Sequence, residues 1–253
     1  MNRTFLGRFG QDRVFWLVIG AALLAFVLLN ARLSANLLLL LLSLIVAITI
    51  HESAHAWVAS LLGDPTARLL GRVSLNPLRH LDPLGSIMML VTVLSGFGIG
   101  WGKPVPVTPY RLRPNPKVGN GIVSLSGPAS NLTLAVILGL ALRLLVGAAV
   151  GPMWAWQALN ALVITNIAIG LFNLIPLPPL DGHSVLIALF SLFKGRWAFE
   201  VTEFLHRMSR YGPILLLALV LIGPMLGLNL LGWLVWRPAE ALYRLVVGTP
   251  IGL

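Results

Sequence analysis

Ile48-Thr49-Ile50-His51-Glu52-Ser53-Ala54-His55-Ala56-Trp57 lies inside a long apolar run from Asn36 to Leu62 and carries the pattern H-E-x-x-H. On a helix, His51 and His55 are one turn apart, so both imidazoles project from one face. That spacing suits two nitrogen ligands of one zinc ion. Glu52 sits about 100° further round the helix. From there its carboxylate can reach a water on the metal without being a ligand. Zinc lowers the pKa of such a water to about 7, and a nearby carboxylate can take its proton.

The setting strengthens this reading. Two histidines and a glutamate within hydrocarbon cost several kcal/mol unless something compensates them. A bound metal does so; a hydrogen-bonded histidine pair in a helix bundle, or a proton relay, are the alternatives. Catalytic zinc usually has three protein ligands. Outside the motif the acids are Asp12, Asp64, Asp82, Asp181, Glu200, Glu203 and Glu240. Only Asp181 follows an apolar segment within a Pro/Gly-rich break, Asn173-Leu174-Ile175-Pro176-Leu177-Pro178-Pro179-Leu180-Asp181-Gly182. His183 is its local rival, with an alternative reading as an interfacial histidine at a helix start. His80 is a further rival, beside Arg79 at the membrane interface.

H-E-x-x-H in one apolar helix, followed by N-x-x-P-x-x-x-x-D-G at the end of a later one, resembles the site-2 protease family of intramembrane zinc metalloproteases. Ser126-Gly127-Pro128-Ala129-Ser130-Asn131 matches that family's S-G-P-x-x-N element, and the resemblance extends from about Asn36 to Phe193. It implies that His51, His55 and Asp181 ligate one Zn2+ and that Glu52 is the general base. It implies that Asn173 stabilises the developing oxyanion or positions substrate, and that Asn131 contributes more indirectly. It further implies substrates that are transmembrane segments of signalling or regulatory proteins, often trimmed beforehand by an earlier cut. Some members filter substrates through PDZ or CBS domains; no stretch within these residues is long enough for either, which leaves a strand clamp or steric access as the selector.

Composition agrees with a membrane setting. The chain has 253 residues, 57% hydrophobic and 10% charged, with a mean hydropathy of +0.89. Soluble domains carry about 25% charged residues. The fold class expected is an all-α polytopic membrane protein of about five or six embedded helices, forming a single protease domain. A net charge of +10 raises nucleic acid as a partner. The basic residues are scattered at the ends of apolar runs, so they read instead as topological anchors and contacts to anionic lipid. The chain has no cysteine, which excludes disulfides and thiolate zinc sites.

In chain order, 14–30 is expected to be an uncleaved first span, with Arg3, Arg8 and Arg13 keeping the N-terminus cytosolic in a cell membrane. The second span, 36–62, places His51 roughly 22 Å from Asn36, nearer the cytosolic side. Residues 64–83, with partly alternating Arg68 to Leu75, predict a small β-hairpin or sheet. Residues 84–107 predict a re-entrant loop, rich in glycine at its far end, then an edge strand at Trp101-Gly102-Lys103-Pro104-Val105-Pro106-Val107. Pro104, Val105 and Pro106 are candidates to pair with an unwound substrate by strand addition, the alternative being a plain connecting loop. Tyr110 to Asn120 reads as a polar linker.

Residues 121–149 and 154–176 are the next expected spans. Ser126 and Ser130 offer a small-x-x-x-small packing face. Asn166 and Asn173, seven apart, share a face of the later helix. Lys194 to Arg210 reads as an interfacial helix. The apolar segment 213–236, interrupted by Gly223-Pro224 and Gly227, reads as one kinked span or two short pieces.

Two functions remain after this reading. One is a zinc endopeptidase acting within the membrane; the other is a zinc-binding scaffold or transporter without hydrolysis. The intact Glu52 favours the first, since a pure binder needs only the ligands. Substrate identity and oligomeric state are not encoded in any motif.

Overall fold

The computed structural model describes residues 21, 35–95, 100–227, 230–249 and 251. The expected first span, 14–30, therefore lies outside the described residues apart from Ala21, as does 96–99 of the glycine-rich stretch. Among the described residues the chain is helical and contains no β-strand; its β-type pairing is an isolated antiparallel bridge between Leu81 and Gly102.

Among the described residues, three helices are long and apolar enough to cross a bilayer: α1 (Ala35–Leu61), α4 (Pro116–Gly147) and α5 (Met153–Asn173). They pack on one another, and their outward faces stay apolar, with Leu42, Ile137 and Leu144 exposed. In water such faces would be a liability; against acyl chains they are the rule. The chain is a membrane protein. Between α1 and α4 lie the single turn α2 (Thr66–Leu69), a 3-10 turn at Pro77–Arg79 and α3 (Pro83–Ser95). After α5 come α6 (Asp181–Ser191), α7 (Arg196–Met208), α8 (Gly212–Met225) and α9 (Arg237–Val247), the last preceded by a π-turn at Gly232–Trp236.

The hairpin expected at 64–83 does not form, and local capping explains why. Asp64 accepts the Thr66 N–H at 3.1 Å and the Thr66 hydroxyl at 2.5 Å, closing the turn that becomes α2. Asn76 accepts the Leu78 N–H at 3.0 Å and Pro77 occupies the first position of the 3-10 turn. These short side chains offer the backbone a local partner that competes with a ladder. The alternation of Arg68 to Leu75 reflects turns with exposed leucines rather than a pleat. The edge strand expected at 101–107 is likewise irregular chain apart from the Leu81–Gly102 bridge.

α3 holds 13 residues, about 20 Å of helix, short of the roughly 30 Å of a hydrocarbon core. α4 starts inside the expected polar linker, because Asn115 caps the Val118 N–H at 3.0 Å and Pro116 sits at the first helical position. The 213–236 stretch is two pieces: α8 ends at Met225, and Gly227 adopts a left-handed φ of +73°.

The central core lies where α4, α5 and α9 meet, around Leu142, Val163, Ile167 and Tyr243. Tyr243 is fully buried, and its hydroxyl donates to Asn160 Oδ1 at 2.6 Å, which gives the phenol's polar atom a partner.

Candidate metal centre

His51 and His55 lie on the buried side of α1, 6% and 8% exposed. The chain returns to them after α5. Leu174 to Leu180 turn through short main-chain bonds, Leu177 N–H to Ile175 O at 2.8 Å and Leu180 N–H to Leu177 O at 2.9 Å, and α6 then opens with Asp181. Gly182 is required there: a Cβ would come within 2.2 Å of Leu174 O. α6 docks on α4 through Gly121, where a Cβ would meet that of Ala188 at 2.1 Å. These two close approaches bring Asp181 onto the histidines.

The result is compact. Asp181 Oδ2 lies 3.0 Å from His51 Nε2 and 3.3 Å from His55 Nε2. Ligand atoms about 2.0–2.1 Å from a tetrahedral zinc are about 3.3 Å apart, so the spacing fits. The hydrogen bonds behind the rings decide which tautomer the neutral imidazoles adopt. Asn131 Nδ2 donates to Ala47 O at 2.9 Å and to Asn166 Oδ1 at 2.8 Å. Its Oδ1 must therefore face His51 Nδ1, 2.7 Å away, and accept from it. His55 Nδ1 donates to Val123 O at 2.7 Å. Each neutral imidazole then presents a lone pair on Nε2. Those two lone pairs confront Asp181 Oδ2, a buried oxygen with no hydrogen-bond partner. Three acceptors facing one point are repulsive until a cation sits among them, and His51, His55 and Asp181 are placed to hold a metal ion.

α4 makes this possible by passing very close. A Cβ at Gly127 would come within 2.5 Å of His55 Nε2 and 2.7 Å of His51 Cε1. The glycine of S-G-P-x-x-N is thus the point where the helix clears the imidazoles. Its serines are satisfied locally, Ser126 Oγ donating to Val123 O at 2.6 Å and Ser130 Oγ to Gly127 O at 2.7 Å.

The rivals for the third ligand are engaged elsewhere. His80 is fully buried and its Nε2 donates to Ser74 O at 2.6 Å, with Ser53 Oγ 3.2 Å away. Burial pushes its imidazole below the ordinary histidine value, and the charges of Arg72 and Arg79 act in the same direction. His183 pairs through Nε2 with Ser209 Oγ at 2.9 Å. Asn173 turns its amide back on its own helix, donating to Ile169 O at 3.0 Å. Glu52 lies against Gly102: a Cβ there would stand 3.2 Å from Glu52 Oε1. Pro104, Val105 and Pro106 follow directly after that contact.

Four contributors escaped the sequence reading: Asn166 as the support of Asn131, Gly127 and Gly102 as points of close approach, and Arg72. Asn166 had a signal, since a fully buried amide in an apolar helix must find a partner. Gly127 had one in the S-G-P-x-x-N element, though not for the rings that it clears; Gly102 and Arg72 had none at the level of a single chain segment.

Comparison with known proteins fits this geometry. Residues 145–219 match the description Peptidase family M50, a stretch that includes Asp181. YwhC of Bacillus subtilis (strain 168), named as a zinc metalloprotease, is 43% identical over 153 residues, 58% of this chain and 67% of that protein. Rip2 of Mycolicibacterium smegmatis (strain ATCC 700084 / mc(2)155), also named as a zinc metalloprotease, is 34% identical over 144 residues, 56% of this chain. The matched region spans about half the length of Rip2, 53%. No solved structure matches. With two imidazoles and one carboxylate built to receive zinc, and with these relatives, the chain belongs to peptidase family M50, the site-2 protease family of zinc metalloproteases.

Proposed function

We propose that the protein is an intramembrane endopeptidase that hydrolyses peptide bonds in or near transmembrane segments of membrane-bound regulatory proteins. The observation that carries this reading is the convergence of Asp181 Oδ2 on two Nε2 atoms at 3.0 and 3.3 Å within membrane-length helices. His51, His55 and Asp181 hold the metal. Bound zinc supplies a Lewis acid for the scissile carbonyl and lowers the pKa of water beside it. Glu52, one residue from His51, takes the proton from that water and passes it to the leaving amine. Asn131 and the Val123 carbonyl keep both rings in the tautomer that binds metal. Asn173 orients the substrate or its oxyanion, after its amide leaves Ile169 O.

A helix hides its carbonyls, so a substrate must unwind before attack. Pro104, Val105 and Pro106 receive the extended peptide. The main-chain groups of Val105 and Val107 have no hydrogen-bond partner among the described residues, which supports this role. The site lies nearer the cytosolic side of a cell membrane, with the N-terminus cytosolic.

The test compares purified wild type with Glu52→Gln on a membrane-segment peptide, with zinc measured in both. The expected result is one zinc per chain in each and cleavage by wild type alone. Equal cleavage by both removes Glu52 from the chemistry. Zinc in both with no cleavage of any membrane-segment substrate overturns the peptidase reading in favour of a zinc-binding scaffold.

A further inference from the structure

Arg72 is 6% exposed although its side chain carries a permanent charge. Its guanidinium grips main-chain carbonyls of two separate stretches. Nη1 donates to Arg79 O at the end of the 3-10 turn; Nη2 donates to Lys103 O and, at 3.1 Å, to Pro104 O. The same two stretches touch again where Lys103 N–H donates to His80 O at 2.7 Å and where Leu81 bridges Gly102. Gly102 in turn lies against Glu52 Oε1.

Main-chain bonds already join these stretches. A guanidinium added beneath them is costly, more so because its Nε–H is buried without a partner. Such a group earns its place through orientation. The planar fork holds Arg79 O on one nitrogen and two carbonyls of the facing stretch on the other, which fixes the two stretches in direction as well as distance, as one main-chain bond does not. The two carbonyls that share Nη2 are those of Lys103 and Pro104, immediately before Val105.

We infer that Arg72 is a positioning residue for the peptidase reaction, holding the carbonyls of Lys103 and Pro104 so that the open main chain of Val105 and Val107 presents a peptide in register with Glu52. This rests on the endopeptidase reading above. Arg72 touches neither metal nor substrate; it acts through the 102–107 segment.

The full chain is tested as wild type, Arg72→Gln and Arg72→Lys on a membrane-segment peptide, with zinc content, kcat and KM measured separately. Arg72→Gln is expected to keep its zinc while KM rises about tenfold and kcat falls less, and Arg72→Lys to recover part of the loss. Because the chain lacks cysteine, Val105→Cys carries a single spin label. That label is expected to gain mobility in the Arg72→Gln background, while a label at exposed Leu144 does not change. Wild-type KM together with an unchanged label overturns the inference. So does parallel loss of zinc, folding and kcat in both Arg72 variants, which marks a structural role only. If wild type cleaves nothing, the peptidase reading falls, and the label at position 105 decides separately whether Arg72 holds the segment.

Discussion

Asn131 Oδ1 accepts the Nδ1–H of His51 at 2.7 Å across 80 residues of sequence, and this contact leaves Nε2 as the nitrogen that faces Asp181. The amide has no freedom to flip, because its Nδ2 is committed to Ala47 O and Asn166 Oδ1. Replacing Asn131 with alanine should therefore weaken zinc binding about 10–100-fold while the chain stays folded. Competition against a calibrated chelator measures it. Affinity equal to wild type would remove Asn131 from the centre.

The close passage of α4 gives a second expectation. Gly127→Ala places a methyl group within 2.5 Å of His55, so one helix or the imidazoles must move and zinc should be lost or greatly weakened. Gly147→Ala, on the same helix with nothing within 4 Å of its Cβ, is the control and should retain full zinc. Metal content by atomic emission, with circular dichroism on both proteins, separates the two outcomes.

Ligand identity is tested by subtraction. His51→Ala, His55→Ala and Asp181→Ala should each bind substantially less zinc than wild type, whereas His80→Ala and His183→Ala should keep it. The last two histidines are committed to Ser74 O and Ser209 Oγ. Full zinc in Asp181→Ala would transfer the third position to another residue.

Asp64 gives an acid-stability expectation. Burial pushes its carboxyl up, but the hydrogen bonds from the Thr66 hydroxyl, the Thr108 N–H and the Thr66 N–H outweigh burial and leave it below the ordinary carboxylate value. A depressed folded-state value means that stability is fully present above the unfolded value of about 3.9 and is lost as pH falls through the lower folded value. Thermal unfolding in detergent should therefore weaken below about pH 4 for wild type. Asp64→Asn should start about 1–3 kcal/mol less stable and show a flatter acid limb. An identical acid limb in both proteins would remove Asp64 as its source.

What could be read along the chain was whatever depends on near neighbours. The i, i+4 histidines, the neighbouring glutamate and the proline break before Asp181 are local patterns, and helical periodicity turns them directly into geometry. Membrane-length apolar runs are equally local, because bilayer thickness sets their length. The hairpin at 64–83 failed for a local reason as well: capping by Asp64 and Asn76 outweighs a short alternation.

The fold alone decided the rest. That Asp181 rather than His183 or His80 meets the two imidazoles depends on α6 docking against Gly121 of α4. That Asn131 orients His51, that Gly127 lets α4 past both rings, and that Arg72 ties the turn at Arg79 to Lys103 depend on contacts between residues far apart in the chain. Such contacts follow from packing of whole helices, which no single window of residues contains. Local chemistry named the ligands' types, and helix packing chose their partners.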